Sequence, residues 1–213
     1  MTQRIKLITR IGKPLAYQEY LHLESDLRAR REELILVCEH SPVITAGVQF
    51  KDKSLRVPQT ELAPRGVAFY KTSRGGDVTA HEPGQIVIYV HVDLKARSLD
   101  VSKFFKGLLE SAQTAAKNSF GLDLDLNTEA PGLYVSGRKI ASIGIQFKSF
   151  FTGHGLAINV TNDLSTFSLI DPCGFDSLEM TSVEKEGGRV DKTGLFIDLF
   201  YEHLQKNHLP ERA

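Results

Sequence analysis

Cys173 stands in Leu169-Ile170-Asp171-Pro172-Cys173-Gly174-Phe175, between a residue that locks φ and lacks an N–H and one that tolerates positive φ. That pairing reads as a rigid turn presenting the sulfur rather than a strand burying it. A thiolate is a nucleophile once a cation or convergent amides stabilise it. Inert packing is the competing role for a lone cysteine. The other cysteine, Cys38, ends the apolar run Leu34-Ile35-Leu36-Val37-Cys38 and suits that inert role. Neither belongs to a CxxC pair, so no disulfide framework is expected and a reducing, cytoplasmic setting fits.

Three further stretches carry residues able to do chemistry. Lys139 begins the otherwise apolar Ile140-Ala141-Ser142-Ile143-Gly144-Ile145. Pointing inward, its amine would lose solvation, have its pKa lowered and serve as a base near neutral pH. Pointing outward, it would be a solvated edge-strand lysine that discourages aggregation. The stretch from Ser73 to Gln85, SRGGDVTAHEPGQ, reads as a glycine-rich loop between two strands. Such loops let backbone amides approach a ligand, although an ordinary hairpin connection also uses Gly-Gly. His154 lies between Gly153 and Gly155 just before a predicted strand, which would leave its ring accessible. His81 and His154 lack a third ligand at metal-site spacing and neither belongs to HExxH, so hydrogen bonding is expected of them and no metal.

The elements that must position these groups can be read in order. Arg4 to Ile11 alternates like a strand, and Pro14 opens a helical segment with Ala16, Tyr20, Leu23 and Leu27 on one face. Leu34 to Cys38 and Val67 to Lys71 read as strands, and the polar, proline-bearing Lys51 to Pro64 as a connecting loop with a helical turn. Ile86 to Val92 is strongly β-forming. Asp100 then caps a helix with Phe104, Leu108, Ala112 and Ala115 on one face, and Gly121 stops it. Leu133 to Val135 and Ile140 to Phe147 form a hairpin across Ser136-Gly137-Arg138, Leu156 to Val160 adds a strand, and Gly194 to Lys206 is a helix. Hairpins outnumber crossovers, which predicts an α+β fold with a mixed, mainly antiparallel sheet and flanking helices.

The chain has 213 residues, 41% of them hydrophobic, enough for one domain spanning 1–213. Lysine plus arginine and aspartate plus glutamate number 26 each, so no basic field calls for nucleic acid. There is no signal-peptide core and no apolar run of about eighteen residues, so no membrane partner is expected. Neither GxGxxG nor GxxxxGK[ST] occurs, so a phosphate loop of those kinds is missing.

Together these segments resemble the lipoyl(octanoyl) transferases. Arg74-Gly75-Gly76-Asp77-Val78-Thr79-Ala80-His81 reads as that family's RGGxxTxH, followed by Pro83-Gly84-Gln85. Lys139-Ile140-Ala141-Ser142-Ile143-Gly144 is similar to its KIAxxG segment, His154-Gly155-Leu156-Ala157-Ile158-Asn159 to HGLALN, and Pro172-Cys173-Gly174 to PCG. Glu39-His40, Pro42-Val43, Thr45 and Gly47 agree as well. The chain departs at Glu82, where the family has glycine, and at Ile44 and Val48, where it has tyrosine and arginine.

The resemblance implies a fold like the catalytic domain of lipoate and biotin protein ligases and no cofactor. It implies octanoyl transfer from octanoyl-acyl carrier protein to a lysine of lipoyl domains, those of 2-oxoacid dehydrogenase complexes and the glycine cleavage H protein. Cys173 would carry the acyl thioester and Lys139 would activate it. The 74–81 segment, Ser142, Ile143, Gly144, His154, Gly155, Leu156 and Ala157 would bind substrate, with glycine amides stabilising the oxyanion. Ile143, Ile145, Leu156 and Leu133 are candidates for the acyl slot, and Arg56, Arg65, Lys71, Arg138 and Lys148 for docking acidic partners. The competing readings are an ATP-dependent ligase needing no cysteine, a non-catalytic acyl-carrier binding module and a cysteine hydrolase.

Overall fold

The computed structural model describes residues 4–171 and 178–212. Its main sheet has seven strands: β1 (Lys6–Leu15), β2 (Leu34–His40), β6 (Gln85–His91), β10 (Phe151–Asn159), β9 (Arg138–Lys148), β8 (Gly132–Val135) and β7 (Asp125–Asn127), in that spatial order. A three-stranded sheet sets β3 (Val43–Ala46) between β4 (Ala68–Lys71) and β5 (Val78–His81). Among the strand pairs of the described residues only β1–β2 and β3–β4 are parallel, so the mixed, mainly antiparallel α+β expectation holds.

β2 is buried along its whole length, and its alternation feeds two cores. Leu34, Leu36 and Cys38 meet Tyr17, Tyr20 and Leu27 of helix α1 (Tyr17–Arg30) and Val87 and Tyr89 of β6. Ile35 and Val37 face the other way, toward Phe104, Leu108 and Ala112 of α2 (Val101–Ser119) and Phe196, Phe200 and Leu204 of α3 (Thr193–Asn207). The sheet thus has α1 on one face and α2 with α3 on the other. Asp100 caps α2 by accepting from the Lys103 N–H at 2.8 Å. Gly121, at φ +78°, donates its N–H to Ala116 O at 3.1 Å and ends it.

Three expectations need correction. Pro14 lies within β1, and α1 begins at Tyr17 with Tyr17, Tyr20, Glu24 and Leu27 buried, so a carboxylate occupies the buried stripe instead of Leu23. The 73–85 stretch is not all loop, because Val78–His81 pairs with β3 as strand β5. His154 does not precede a strand; it lies inside β10 opposite Ile145. The β8–β9 hairpin is as expected, with positive φ at Ser136 (48°) and Gly137 (84°) matching a two-residue type I′ turn.

Candidate active site

A cavity of about 310 Å³ opens over the β9–β10 pair. Gly144 and Gly155 are cross-strand partners in its floor. A Cβ on Gly155 would overlap the Ile88 carbonyl oxygen, and one on Gly144 would lie 3.1 Å from Gly75 O and 3.3 Å from Arg74 Cδ. At Gly155 the β6 backbone leaves no room for a side chain, and at Gly144 the Arg74–Gly75 segment would have to give way, so these glycines let that backbone approach closely. Val87, Phe105, Ile143, Ile145 and Leu156 supply an apolar lining.

The Arg74–Asp77 segment is stitched over this floor. Gly75 N–H donates to Ile145 O at 2.9 Å, while the N–H groups of Gly47 and Gln49 donate to Asp77 O at 2.7 Å and Gly76 O at 3.0 Å. Arg74 is buried and turns its guanidinium inward, donating to Thr45 Oγ1 at 3.0 Å and to the Gly75 and Asp77 carbonyls at 3.0 Å each. A buried cation with its donors on surrounding carbonyls holds the loop in one shape. Because the Gly75 amide is already engaged, it is not an oxyanion donor in this arrangement.

Lys139 is 1% exposed and lines the cavity. β9 is an interior strand, so the exposed edge lysine is excluded. Its Nζ lies 5.6 Å from the Tyr134 ring centroid. Gly132 makes room for its stem: a Cβ there would come 2.6 Å from Lys139 Cε. The Lys139 main chain is clasped by a segment beyond the cysteine, with its N–H donating to Glu179 O at 2.8 Å and its O accepting from Thr181 N–H at 2.9 Å. On the other side of the cysteine, Asp171 N–H donates to Ser54 O at 2.9 Å, and Ser54 Oγ donates to Oδ2 of the cavity-lining Asp77 at 2.6 Å. Cys173 itself lies outside the described residues.

His154 is buried, at φ +60°, correcting the expectation of an accessible ring. Strand alternation would aim it at α2, yet its ring packs 5.7 Å from Tyr20 and 6.3 Å from Tyr89 on the α1 face. The left-handed backbone, roughly 1–2 kcal/mol unfavourable for a residue with a Cβ, produces that reversal. Tyr20 Oη accepts the His154 N–H at 3.1 Å, and Glu24 Oε1 lies 3.7 Å from Nε2. Burial pushes the His154 pKa well down, helped by Arg74, and pushes that of Glu24 up.

A second network joins three of the motifs. His81 Nδ1 lies 2.6 Å from Gln85 Oε1, Gln85 Nε2 donates to Asn159 Oδ1 at 2.9 Å, and Asn159 Nδ2 donates to Thr181 O at 2.9 Å, beside Lys139. Glu82 turns away from His81: Asn162 Nδ2 donates to its Oε1 and Thr166 N–H to its Oε2, each at 2.9 Å. Glu39 fixes the same turn by accepting the Gly12 and Gly84 N–H groups at 2.8 Å each. Burial, reinforced by the charge of His40, lowers the His81 pKa to about 3.

The structure brings Arg74, Gly75, Gly76, Asp77, Val78, Thr79, His81, Lys139, Ser142, Ile143, Gly144, His154, Gly155, Leu156 and Ala157 to one cavity. Ala80 is instead buried in the core under the small sheet, and Leu133 in the main core. Of the docking candidates, Arg56 pairs with Asp171 at 2.6 Å, Arg65 with Glu61 at 2.9 Å and Arg138 with Glu186 at 2.8 Å, which occupies their charge. Sequence reasoning missed Gln49, Val87, Tyr89, Phe105 and Pro131 in the lining and Glu24 behind it. Only Glu24 left a signal, a carboxylate at helical spacing from Tyr17, Tyr20 and Leu27.

A glycine-floored cavity between two sheets, walled by a buried lysine, belongs to a recognisable class. The lipoyl protein ligase A/B catalytic domain matches residues 10–206. Solved structures share the fold: lipoate-protein ligase A bound with ATP (TM-score 0.71, 16% identity, 96% of this chain and 86% of that one) and a bipartite lipoate protein ligase from Thermoplasma acidophilum (0.71, 13%, 94% and 82%). Within that class, an octanoyltransferase of Leptospira borgpetersenii serovar Hardjo-bovis is 45% identical over 84% of this chain and 83% of its own length. One of Parabacteroides distasonis is 38% identical over 75% and 74%. The chain belongs to the octanoyltransferase family and is an acyltransferase.

Proposed function

We propose that this chain, acting as one cytoplasmic catalytic domain, moves an octanoyl group from octanoyl-acyl carrier protein to a specific lysine of lipoyl domains through a thioester on Cys173. The acceptors are the lipoyl domains of 2-oxoacid dehydrogenase complexes and the glycine cleavage H protein. The observation that carries this reading is the placement of Lys139, 1% exposed on the cavity wall and hydrogen-bonded through its main chain to Glu179 and Thr181. Residues 172–177, which include Cys173, connect that anchor to Asp171, whose N–H is held by Ser54 beside Asp77.

In the first step the Cys173 thiol gives its proton to Lys139, and the thiolate attacks the donor's thioester carbonyl. The bond to the pantetheine sulfur breaks, and that sulfur leaves with the proton from Lys139. In the second step the acceptor amine attacks the Cys173 thioester, the C–S bond breaks, and Lys139 relays the amine's proton to the departing thiolate. Thioester exchange is nearly isoenergetic and amide formation runs downhill, so no nucleotide is consumed. The apolar lining of Val87, Ile143, Ile145 and Leu156 suits a saturated chain.

Single-turnover assays without ATP test this reading. Cys173→Ser should abolish transfer and Cys38→Ser should leave it within about twofold, because Cys38 is buried and its thiol pKa is pushed up to about 12. Full activity in Cys173→Ser would remove the covalent step.

A further inference from the structure

The orientation of the Gln85 amide can be settled from two backbone carbonyls. Asn159 Nδ2 lies 2.9 Å from Thr181 O, and a carbonyl only accepts, so Asn159 Oδ1 is the acceptor end turned toward Gln85. Gln85 Nε2 lies 3.2 Å from Ala80 O and 2.9 Å from that Oδ1, both acceptors, so this atom is the NH₂ group. Gln85 Oε1 is therefore what His81 Nδ1 meets at 2.6 Å, and Nδ1 must carry the hydrogen.

The ring is clamped as well as oriented. Tyr17 stacks on it with centroids 6.3 Å apart and planes 12° apart, and the His40 ring lies 5.7 Å away, tilted by 50°. His81 lines the cavity, and with Nδ1 engaged by Gln85 its Nε2 is the ring nitrogen which that bond does not use. We propose that Gln85 and Asn159 lock His81 in the Nδ1–H tautomer, so that its Nε2 lone pair accepts an N–H of the incoming lysine amine and orients it at the thioester. The proposal rests on the transfer reading above. A fixed acceptor favours an amine over water weakly in energy but strongly in direction, because the amine's own lone pair must point away from the hydrogen it donates. The low proton affinity of His81 keeps that acceptor neutral at working pH. His81 is thus an orienting group, with Gln85 and Asn159 as positioning residues behind it.

Two measurements test this together. The first is ¹⁵N-histidine NMR of the full chain, in which His81 should show the Nδ1–H tautomer and Gln85→Leu should lose it. The second is the pair of half-reactions in His81→Asn, which keeps a donor toward Gln85 but removes Nε2. Aminolysis of the octanoyl-enzyme by an apo lipoyl domain should slow about tenfold more than formation of that adduct, and His81→Gln, which restores an acceptor near the Nε2 position, should recover part of the loss. An Nε2–H tautomer, or equal slowing of both halves in His81→Asn, would overturn the proposal. Failure of the parent protein to form any octanoyl adduct would overturn the transfer reading and the amine assignment with it, while the tautomer measurement would still decide the lock.

Discussion

Gly132→Ala offers a steric test of how Lys139 is held. A Cβ there would sit 2.6 Å from Lys139 Cε and 3.3 Å from Nζ, and would overlap the Ala141 carbonyl oxygen. Carbon atoms prefer a separation of about 3.5–4.0 Å, so the lysine stem has to retreat by about 1 Å. A displacement of that size in reacting groups costs on the order of 10²-fold in rate. Overpacking against Ala141 O should also cost about 1–3 kcal/mol of stability, lowering Tm by roughly 2–4 °C per kcal/mol in a chain of this size. Single-turnover transfer and thermal unfolding of the same sample separate the two effects. Gly137→Ala is the control: nothing lies within 4 Å of its would-be Cβ, but φ is +84°. It should lose about 1 kcal/mol to backbone strain and keep its transfer rate. Gly132→Ala transferring within twofold of the parent would refute the stated geometry.

Other expectations follow from the same contacts. Glu82→Gly, which restores the family's usual residue, removes the acceptor for Asn162 Nδ2 and Thr166 N–H, so it should cost about 2–4 kcal/mol in chemical denaturation; an unchanged midpoint would show those bonds to be unimportant. Burial lowers the pKa of His40 and His91 to about 4 and that of His81 to about 3. The unfolded chain binds their protons first, so stability is full above about pH 6.5 and falls as pH drops toward 4, by up to about 1.4 kcal/mol per unit for each histidine. The raised pKa of Glu24 opposes part of this. Tm flat from pH 7 to pH 5 would contradict that sign. Iodoacetamide at neutral pH should alkylate Cys173 and spare buried Cys38, read by peptide mass spectrometry; labelling of Cys38 in the folded protein would count against its burial.

The main sheet and helices were legible because their patterns are local. Leu34 to Cys38 is a continuous apolar run because β2 is buried on both faces, and Asp100 and Gly121 mark the ends of α2 by capping chemistry. Of the small sheet only β4 was legible, as Val67 to Lys71, while β3 and β5 exist through mutual pairing rather than through periodicity. The site motifs were readable as types, but their roles diverged. Arg74 belongs to the segment that the resemblance assigns to substrate, and its guanidinium holds its own loop in shape; His154 reads as exposed, yet a positive φ inside β10 turns it against α1. Both outcomes depend on contacts with residues far away in the chain, Thr45 for one and Tyr20 for the other. The early agreements at Glu39, Thr45 and Gly47 gain a reason only in the structure. Glu39 clamps the turn before Gln85, Thr45 accepts from Arg74, and a Cβ on Gly47 would overlap Gly76 O.

The central claim, that Cys173 carries the acyl group between two proteins, is tested most directly by intact-protein mass spectrometry with octanoyl-acyl carrier protein and no ATP, before and after addition of an apo lipoyl domain. An octanoyl adduct that maps to Cys173 and then moves to the domain lysine is the expected result. Absence of the adduct, with the domain modified only when ATP and free octanoate are supplied, would contradict it and assign the chain to ligase chemistry.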